Sequence, residues 1–325
     1  MPLIVVVVVR HFRCKMKIAF QMDHISTINQ STDSTYMLIK EAARLGFELF
    51  HYTPKDLYLD NGKVYAQVEH LAIYPNQDKF YQLSAQQKLD LTELDFLFIR
   101  QDPPFDLAYI TNSYILEKIR HKIIFINDPT AIRNAPEKIL VCDYKEFTPN
   151  TIITENLQII RDFAQKYPKI ILKPLYACGG EGVVKLQAPY DDLISEGAKL
   201  INYCKTPIIA QEYLAEIKQG DLRVIIACGQ IMGQVLRVPE PGKVAANFHA
   251  GGKAVKAKLS AKQKEIALYI GQILLEKKLY FAGLDFIGDY LTEINITSPT
   301  GIQEINQLEG KNIEQEIWQN FLKLK

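Results

Sequence analysis

The sequence predicts a mixed α/β and α+β protein, with a parallel sheet in its first part and β-rich segments after it. Three observations predict this. Residues 17 to 127 alternate short apolar strand-like runs with helical stretches, the pattern of a parallel sheet. From residue 136 the chain changes character, and strand-like runs carry lysine, arginine and clustered glycine. Residues 283 to 300 read as a hairpin with one apolar and one polar face.

Leu3 to Val9 is an apolar run followed by Arg10, His11, Arg13 and Lys15. It is too short to span a bilayer and lacks the charged lead and cleavage site of a signal peptide. It is either an extra edge strand or an extension, residues 1–15, ahead of a natural start at Met16. Lys17 to Phe20 already reads as a first strand and leads into Gln21-Met22-Asp23-His24.

A unit of residues 16–135 follows. A helix is expected from Ser34 to Leu45, with Asp33 or Ser34 as N-cap and Gly46 as C-cap. Phe47–Tyr52 and Leu94–Arg100 read as strands, Leu107–Ile119 as a helix and Lys122–Asn127 as a further strand. Ligands of such sheets gather at strand C-termini. Arg100 and Asp102 stand at one of these, ahead of Pro103-Pro104. An arginine fork there matches a substrate carboxylate; the alternative is a surface salt bridge beside a turn.

A second unit spans residues 136–210. Pro136 suits the first turn of a helix. Thr151–Thr154 and Lys169–Lys173 read as strands around a helix from Leu157 to Lys166. Lys173 sits in the apolar run Ile-Ile-Leu-Lys-Pro, which is costly unless the ammonium finds a partner. Cys178-Gly179-Gly180-Glu181-Gly182 is a turn whose backbone N–H groups can approach phosphates. An ordinary glycine turn beside a snorkelling lysine explains the same residues. The loop GxxxxGK[ST] and a strand-borne GxGxxG are both absent.

The third unit, residues 211–325, starts within a strand at Ile208–Leu214, whose Gln211, Glu212, Tyr213 and Leu214 make a plausible bed for an adenine. Asp221 and Arg223 lie two apart on one strand, and Arg237 on the next. Such arginines are either solvated edge residues or neutralise charge at a phosphate-transfer centre. Residues 243–252 are rich in small side chains; their His249 carries no assigned role. A helix over Ser260–Lys277 precedes the hairpin.

In that hairpin a three-residue loop, Gly288 to Tyr290, would pair Ile287 with Leu291, Asp285 with Glu293 and Gly283 with Asn295. Alternation then sets Asp285, Glu293 and Asn295 on one face and Leu284, Phe286, Ile294 and Ile296 on the other. Facing carboxylates about 5 Å apart destabilise a sheet. A bound cation turns that cost into a site, and two carboxylates with an amide oxygen suit Mg²⁺. Alone, the pattern reads first as a solvated polar face, since most exposed carboxylates bind nothing.

The chain has 325 residues, 48% of them hydrophobic and 23% charged, with net charge +1. That allows two or three cored domains and provides no electrostatic case for nucleic acid or an anionic membrane. Five scattered cysteines without a CxxC pair suggest neither a disulfide framework nor zinc, and fit a reducing cytoplasm.

Taken in order, the strand Leu-Lys-Pro, the Gly-Gly loop, Gln-x-Tyr-Leu, Asp-x-Arg, Arg-x-Pro and Gly-Leu-Asp…Glu-x-Asn resemble the ATP-grasp carboxylate–amine ligases. Arg-Gln-Asp-Pro-Pro-Phe-Asp at 100–106, Gly-Asp-Leu-Arg-Val at 220–224 and Leu-Thr-Glu-Ile-Asn-Ile-Thr-Ser-Pro-Thr at 291–300 resemble the bacterial glutathione synthetase family in particular. The likeness runs over nearly all of 17–310 and loosens from Gln307. Gln101 and Ala245 depart from it, standing where relatives have lysine and arginine.

The resemblance implies an ATP-grasp fold behind a Rossmann-like pre-ATP-grasp substrate domain, with 136–210 as lid and 211–325 as catalytic domain. It implies ATP-dependent joining of γ-glutamylcysteine to glycine through an acyl phosphate, the alternatives being another ligase of that superfamily or a non-catalytic nucleotide binder. By position, Lys138 and Lys173 would touch ATP phosphates and Gly179 and Gly180 would cover them. Gln211, Glu212, Tyr213 and Leu214 would flank adenine, and Asp221 would meet the ribose. Arg223 and Arg237 would stabilise the acyl phosphate and tetrahedral intermediate. Asp285, Glu293 and Asn295 would hold Mg²⁺ or Mn²⁺, with Arg100, Asp102, Ser298 and Thr300 on substrate. The loops at 178–182 and 243–252 would exclude water. A cytoplasmic homo-oligomer, dimer or tetramer, is also implied, with small molecules as its partners.

Overall fold

The computed structural model describes residues 15–75, 77, 79–177, 179–240 and 251–325. Residues 1–14 of the extension, Cys178, and residues 243–250 of the second loop, with Ala245 and His249, lie outside the described residues.

Lys17–Gln21, Glu48–Tyr52, Phe96–Ile99 and Ile124–Ile126 form the expected parallel core of the first sheet. Asp33 caps helix Ser34–Arg44 by accepting from the Tyr36 N–H, and Gly46 takes φ 79° beyond its end. Sequence reasoning passed over an antiparallel extension built on Leu57–Asp60 and Lys63–Ile73, with Tyr81–Leu83 and Gln87–Asp90 paired to the latter. The signal was present. Asn61-Gly62, at φ 46° and 82°, joins Asp60 directly to Lys63, the dipeptide that two-residue hairpins prefer. Val64, Ala66 and Val68 alternate inward after it.

His51, on strand Glu48–Tyr52, is fully buried, with Nδ1 3.5 Å from Glu69. Burial holds its pKa below the ordinary value, against a backbone contact to Asp23 and the nearby Glu69. The folded state therefore takes up fewer protons than the unfolded one just below the ordinary value. This group's contribution to stability is complete at neutral pH and is lost as pH falls through about 6.5 and below. Melting temperatures followed from pH 8 to 5.5 should fall less steeply for His51→Gln than for the native chain.

The second sheet is antiparallel, in the order Val184–Gln187, Lys169–Pro174, Ile208–Glu212, Thr151–Thr154. Helices Leu157–Ala164 and Leu193–Cys204 cover one face through Ile160, Phe163 and Leu200 on Ile170, Leu172, Ile208 and Ala210. Strand Ile208–Glu212 stays whole in this sheet, so a division at 210/211 falls inside a strand.

The third sheet runs Lys253–Val255, Gln230–Val238, Asp221–Ala227, Phe281–Ile287, Tyr290–Asn295, all antiparallel. Helix Ala261–Glu276, opened by a Ser260/Gln263 capping box, packs on one face. On the other, Ile305, Ile317, Trp318 and Phe321 of helices Ile302–Glu309 and Ile313–Leu322 join a core shared with Ile18, Phe20, Phe96 and Phe98 of the first sheet. Gly271 lets helix Ala261–Glu276 approach that sheet closely, since a Cβ there would lie 2.7 Å from the Gly229 carbonyl oxygen. Gly271→Ala is expected to destabilise the protein by about 1–3 kcal/mol in denaturant titrations, because backbone cannot rotate away.

The hairpin differs from expectation at its tip. Gly288-Asp289 is a two-residue turn, so Ile287 pairs with Tyr290 and Phe286 with Leu291. Thr292 is the extra residue of a bulge, its hydroxyl donating to the Asp285 carbonyl at 3.1 Å. The bulge restores the register, and Asp285↔Glu293 and Gly283↔Asn295 pair as expected. Leu284, Phe286, Ile294 and Ile296 are all buried.

Candidate active site

A cleft of ≈ 980 Å³ lies where the three sheets meet, and all eighteen residues singled out from the sequence line it. Each arrives from a different local cause. Lys173 leaves the apolar strand Lys169–Pro174 and donates to Gln211 Oε1 at 3.1 Å, while Gln211 Nε2 donates to Thr151 Oγ1 at 2.8 Å. Burial pulls the Lys173 pKa down, against Glu293. Gly179, Gly180 and Gly182 take φ of 67°, 79° and 69°, which lets the chain turn back into strand Val184–Gln187 beside it. Gln211 to Leu214 leave the next strand at the cleft wall, with the Lys185 ammonium 4.3 Å from the Tyr213 ring centre.

The third sheet brings three strands' charges together. Arg223 donates to both oxygens of Asp285, Nη2 to Oδ2 at 2.7 Å, and its Nη1 donates to the Thr300 carbonyl at 3.1 Å. Arg237 bridges Asp221 and Asp285, lying 2.9 Å from Asp285 Oδ2. Burial pushes the Asp285 carboxyl up, but Arg223 and Arg237 outweigh it and hold it well below the usual range. Burial also pushes Asp221 up to about 7; Arg237 pulls it down, yet Asp285 competes for the same guanidinium.

Asp285 and Glu293 do face each other, but the cost does not by itself require a bound ion. Arg223 and Arg237 neutralise one, and Lys138 Nζ stands 3.2 Å from the other. Among the described residues no three His, Cys, Asp or Glu side chains converge as metal ligands, so a cation site here would have to draw on other oxygen donors beside the two carboxylates. Asn295 Nδ2 donates to Asp285 Oδ2 at 3.0 Å, so its Oδ1 is the oxygen that would be left to meet a cation. This hard-oxygen set fits Mg²⁺ or Mn²⁺ chemistry.

Arg100 is not the surface salt-bridge residue that one reading allowed. It is 4% exposed and donates to Thr35 Oγ1 and to the carbonyls of Thr297 and Pro299 at 3.0, 3.4 and 3.1 Å. It thereby clamps the segment that carries Ser298 and Thr300, while the Ser298 hydroxyl donates to Asp102 at 2.6 Å. Sequence reasoning missed Glu137. Its half-buried carboxylate accepts from the N–H groups of Ile296 and Thr297 and the Thr297 hydroxyl at 2.7, 3.0 and 3.0 Å. That ties the short helix Glu137–Leu140 to the end of the hairpin and so places Lys138, which also donates to the Ala177 carbonyl at 2.5 Å. Its only sequence signal was adjacency to Lys138.

Comparison with known proteins follows the same division. The sequence model described as the prokaryotic glutathione synthetase N-terminal domain matches residues 16–133, and that of its ATP-grasp domain matches 137–310. Glutathione synthetase from Brucella melitensis biotype 1 is 43% identical over 303 residues, 93% of this chain and 97% of the relative. That of Escherichia coli O6:H1 is 38% identical over 292 residues, 89% and 92% of the two chains. Among solved structures, D-cycloserine synthetase DcsG superposes with TM-score 0.62 at 13% identity, covering 93% of this chain and 99% of that one. D-alanyl-alanine synthetase A from Vibrio cholerae gives 0.61 at 14%, covering 95% and 98%. At such identities these establish the fold alone, which is the ATP-grasp fold. With two sequence models spanning residues 16–133 and 137–310 and relatives above 35% identity over nine-tenths of its length, the chain belongs to the prokaryotic glutathione synthetase family.

Proposed function

We infer that this chain joins γ-L-glutamyl-L-cysteine to glycine at the expense of ATP, giving glutathione, ADP and phosphate. The observation that carries the reading is the cleft in which two lysines, two buried arginines and a carboxylate pair from the ATP-grasp part of this family's chain face Arg100 and Asp102 of its N-terminal part. The cysteinyl carboxylate takes the γ-phosphoryl group; the glycine nitrogen then attacks the acyl carbon, loses a proton, and phosphate leaves. Phosphoryl transfer of this kind asks for positioning and charge neutralisation rather than a protein nucleophile.

In this reading Lys138 and Lys173 bind the nucleotide phosphates beneath the Gly179-Gly180 turn. Gln211 to Leu214 hold the adenine and Asp221 the ribose. Arg223 and Arg237 steady the charge that develops on the acyl phosphate and tetrahedral intermediate. Arg100, Asp102, Ser298 and Thr300 orient substrate. Asp285, Glu293 and Asn295 hold a divalent cation, Mg²⁺ or Mn²⁺, which when bound neutralises phosphate charge. Residues 136–210 act as the lid on a catalytic unit of 211–325, with 16–135 presenting substrate. Among the described residues no helix is long and apolar enough to cross a membrane. We place the reaction in the cytoplasm and expect a homo-oligomer, dimer or tetramer, which light scattering would reveal.

Purified protein should release ADP only when γ-glutamylcysteine and glycine are both supplied; turnover with D-alanine in place of both would sink the assignment. Lys173→Met should raise the KM for ATP about 10- to 100-fold, the cost of removing a charge-assisted contact, while leaving the KM for glycine unmoved.

A further inference from the structure

One carboxylate in the cleft wall has no part in the roles above. Glu304 lies in the first turn of helix Ile302–Glu309, is 8% exposed and lines the cleft. Its Oε2 is buried with no hydrogen-bond partner among the described residues. A helix N-terminus favours an acidic residue, which explains a glutamate on this turn. It does not explain an unsatisfied buried carboxylate oxygen, which costs about 1–3 kcal/mol or more.

Its place is fixed by the first domain. Ser34 Oγ accepts from the N–H groups of Gly301 and Ile302 at 3.0 and 3.1 Å, and Gln303 Nε2 donates to the carbonyls of Gln30 and Asp33 at 2.6 and 3.2 Å. These bonds set two helix N-termini against each other, so Asp33, the cap of helix Ser34–Arg44, also faces the cleft near Glu304. Burial pushes both carboxyls up; Arg223 and Arg237 are close enough to pull Glu304 down, and Arg100 to pull Asp33 down. The cleft here thus offers carboxylate acceptors beside guanidinium donors.

We propose that Glu304, with Asp33 beside it, receives the ammonium group of an amino-acid substrate. An ammonium carries three donors and the charge that the orphaned oxygen lacks, and the neighbouring arginines suit the carboxylate at the other end of a zwitterion. The proposal rests on the function inferred above. That reading supplies two substrates with the required group, the γ-glutamyl end of the dipeptide and glycine.

The test uses the full chain carrying Glu304→Gln, with KM measured separately for ATP, dipeptide and glycine. The KM of one amino-bearing substrate should rise about 10- to 100-fold, as for loss of a charged hydrogen bond, with that for ATP unchanged. Whichever rises identifies the source. Analogues lacking the ammonium sharpen the result: glutaryl-cysteine for the dipeptide, and glycolate as a competitor of glycine. The native protein should discriminate against the relevant analogue, and Glu304→Gln should lose that discrimination. Unchanged KM values, or a loss shared equally with ATP, overturn the proposal. If Glu304→Gln does not fold, native protein binding both analogues as well as their parents overturns it. Absence of ADP release by the native chain would instead strike the functional reading itself.

Discussion

Asp285→Asn is expected to abolish ADP release and to lower stability at the same time. The carboxylate is 3% exposed and takes paired donors from Arg223 and a further contact from Arg237. Removing its charge leaves the buried Arg223 guanidinium without its counter-ion and takes from Arg237 one of its two carboxylates, a change worth about 3–5 kcal/mol of destabilisation. It also removes a donor from the proposed cation site and frees both arginines to reorient, so turnover should fall at least about 100-fold. Glu293→Gln separates the two effects. Its side chain is 25% exposed and pairs with Lys138, so stability should change by no more than about 1 kcal/mol while turnover is still lost. Denaturant melts and ADP release on the two variants check this. Undiminished turnover in Asp285→Asn would exclude the cation role.

Trp318→Ala should produce the largest loss of stability without touching the cleft. Trp318 is fully buried, its Nε1–H donates to the Leu38 carbonyl at 2.8 Å, and its ring lies 5.5 and 5.2 Å from those of Phe47 and Phe98. It belongs to the core that joins the first and third sheets, so truncation opens a cavity at the seam and strands an acceptor. A cost of about 3–5 kcal/mol is expected from unfolding curves. The folded fraction should keep its KM for ATP. A loss below about 1 kcal/mol would mean that the final helix does not hold the sheets together.

Short-range patterns were legible where neighbours in the chain decide them. Asp33 and Gly46 bracket their helix because a cap needs only the adjacent backbone. The parallel strands at 17, 48, 96 and 124 declare themselves through buried apolar runs. Asn61-Gly62 was equally legible and was overlooked. Arg100 was not legible: a strand-end arginine before two prolines reads alike whether it meets water or, as here, the carbonyls of Thr297 and Pro299. Thr292 shows the same limit, since a bulge and a longer loop give one alternation pattern until the partner strand is in place.

What the sequence by itself determined is which side chains share a face: Asp285, Glu293 and Asn295 on one, Leu284, Phe286 and Ile294 on the other, because successive residues of a strand must alternate. Only the tertiary structure decided what those faces meet. Arg223 and Arg237 close on Asp285, Glu137 anchors Lys138, and Glu304 turns a bare oxygen into the cleft wall. Alternation is a property of local backbone geometry, whereas pairing of buried charges depends on chain segments that come together only when three sheets have packed.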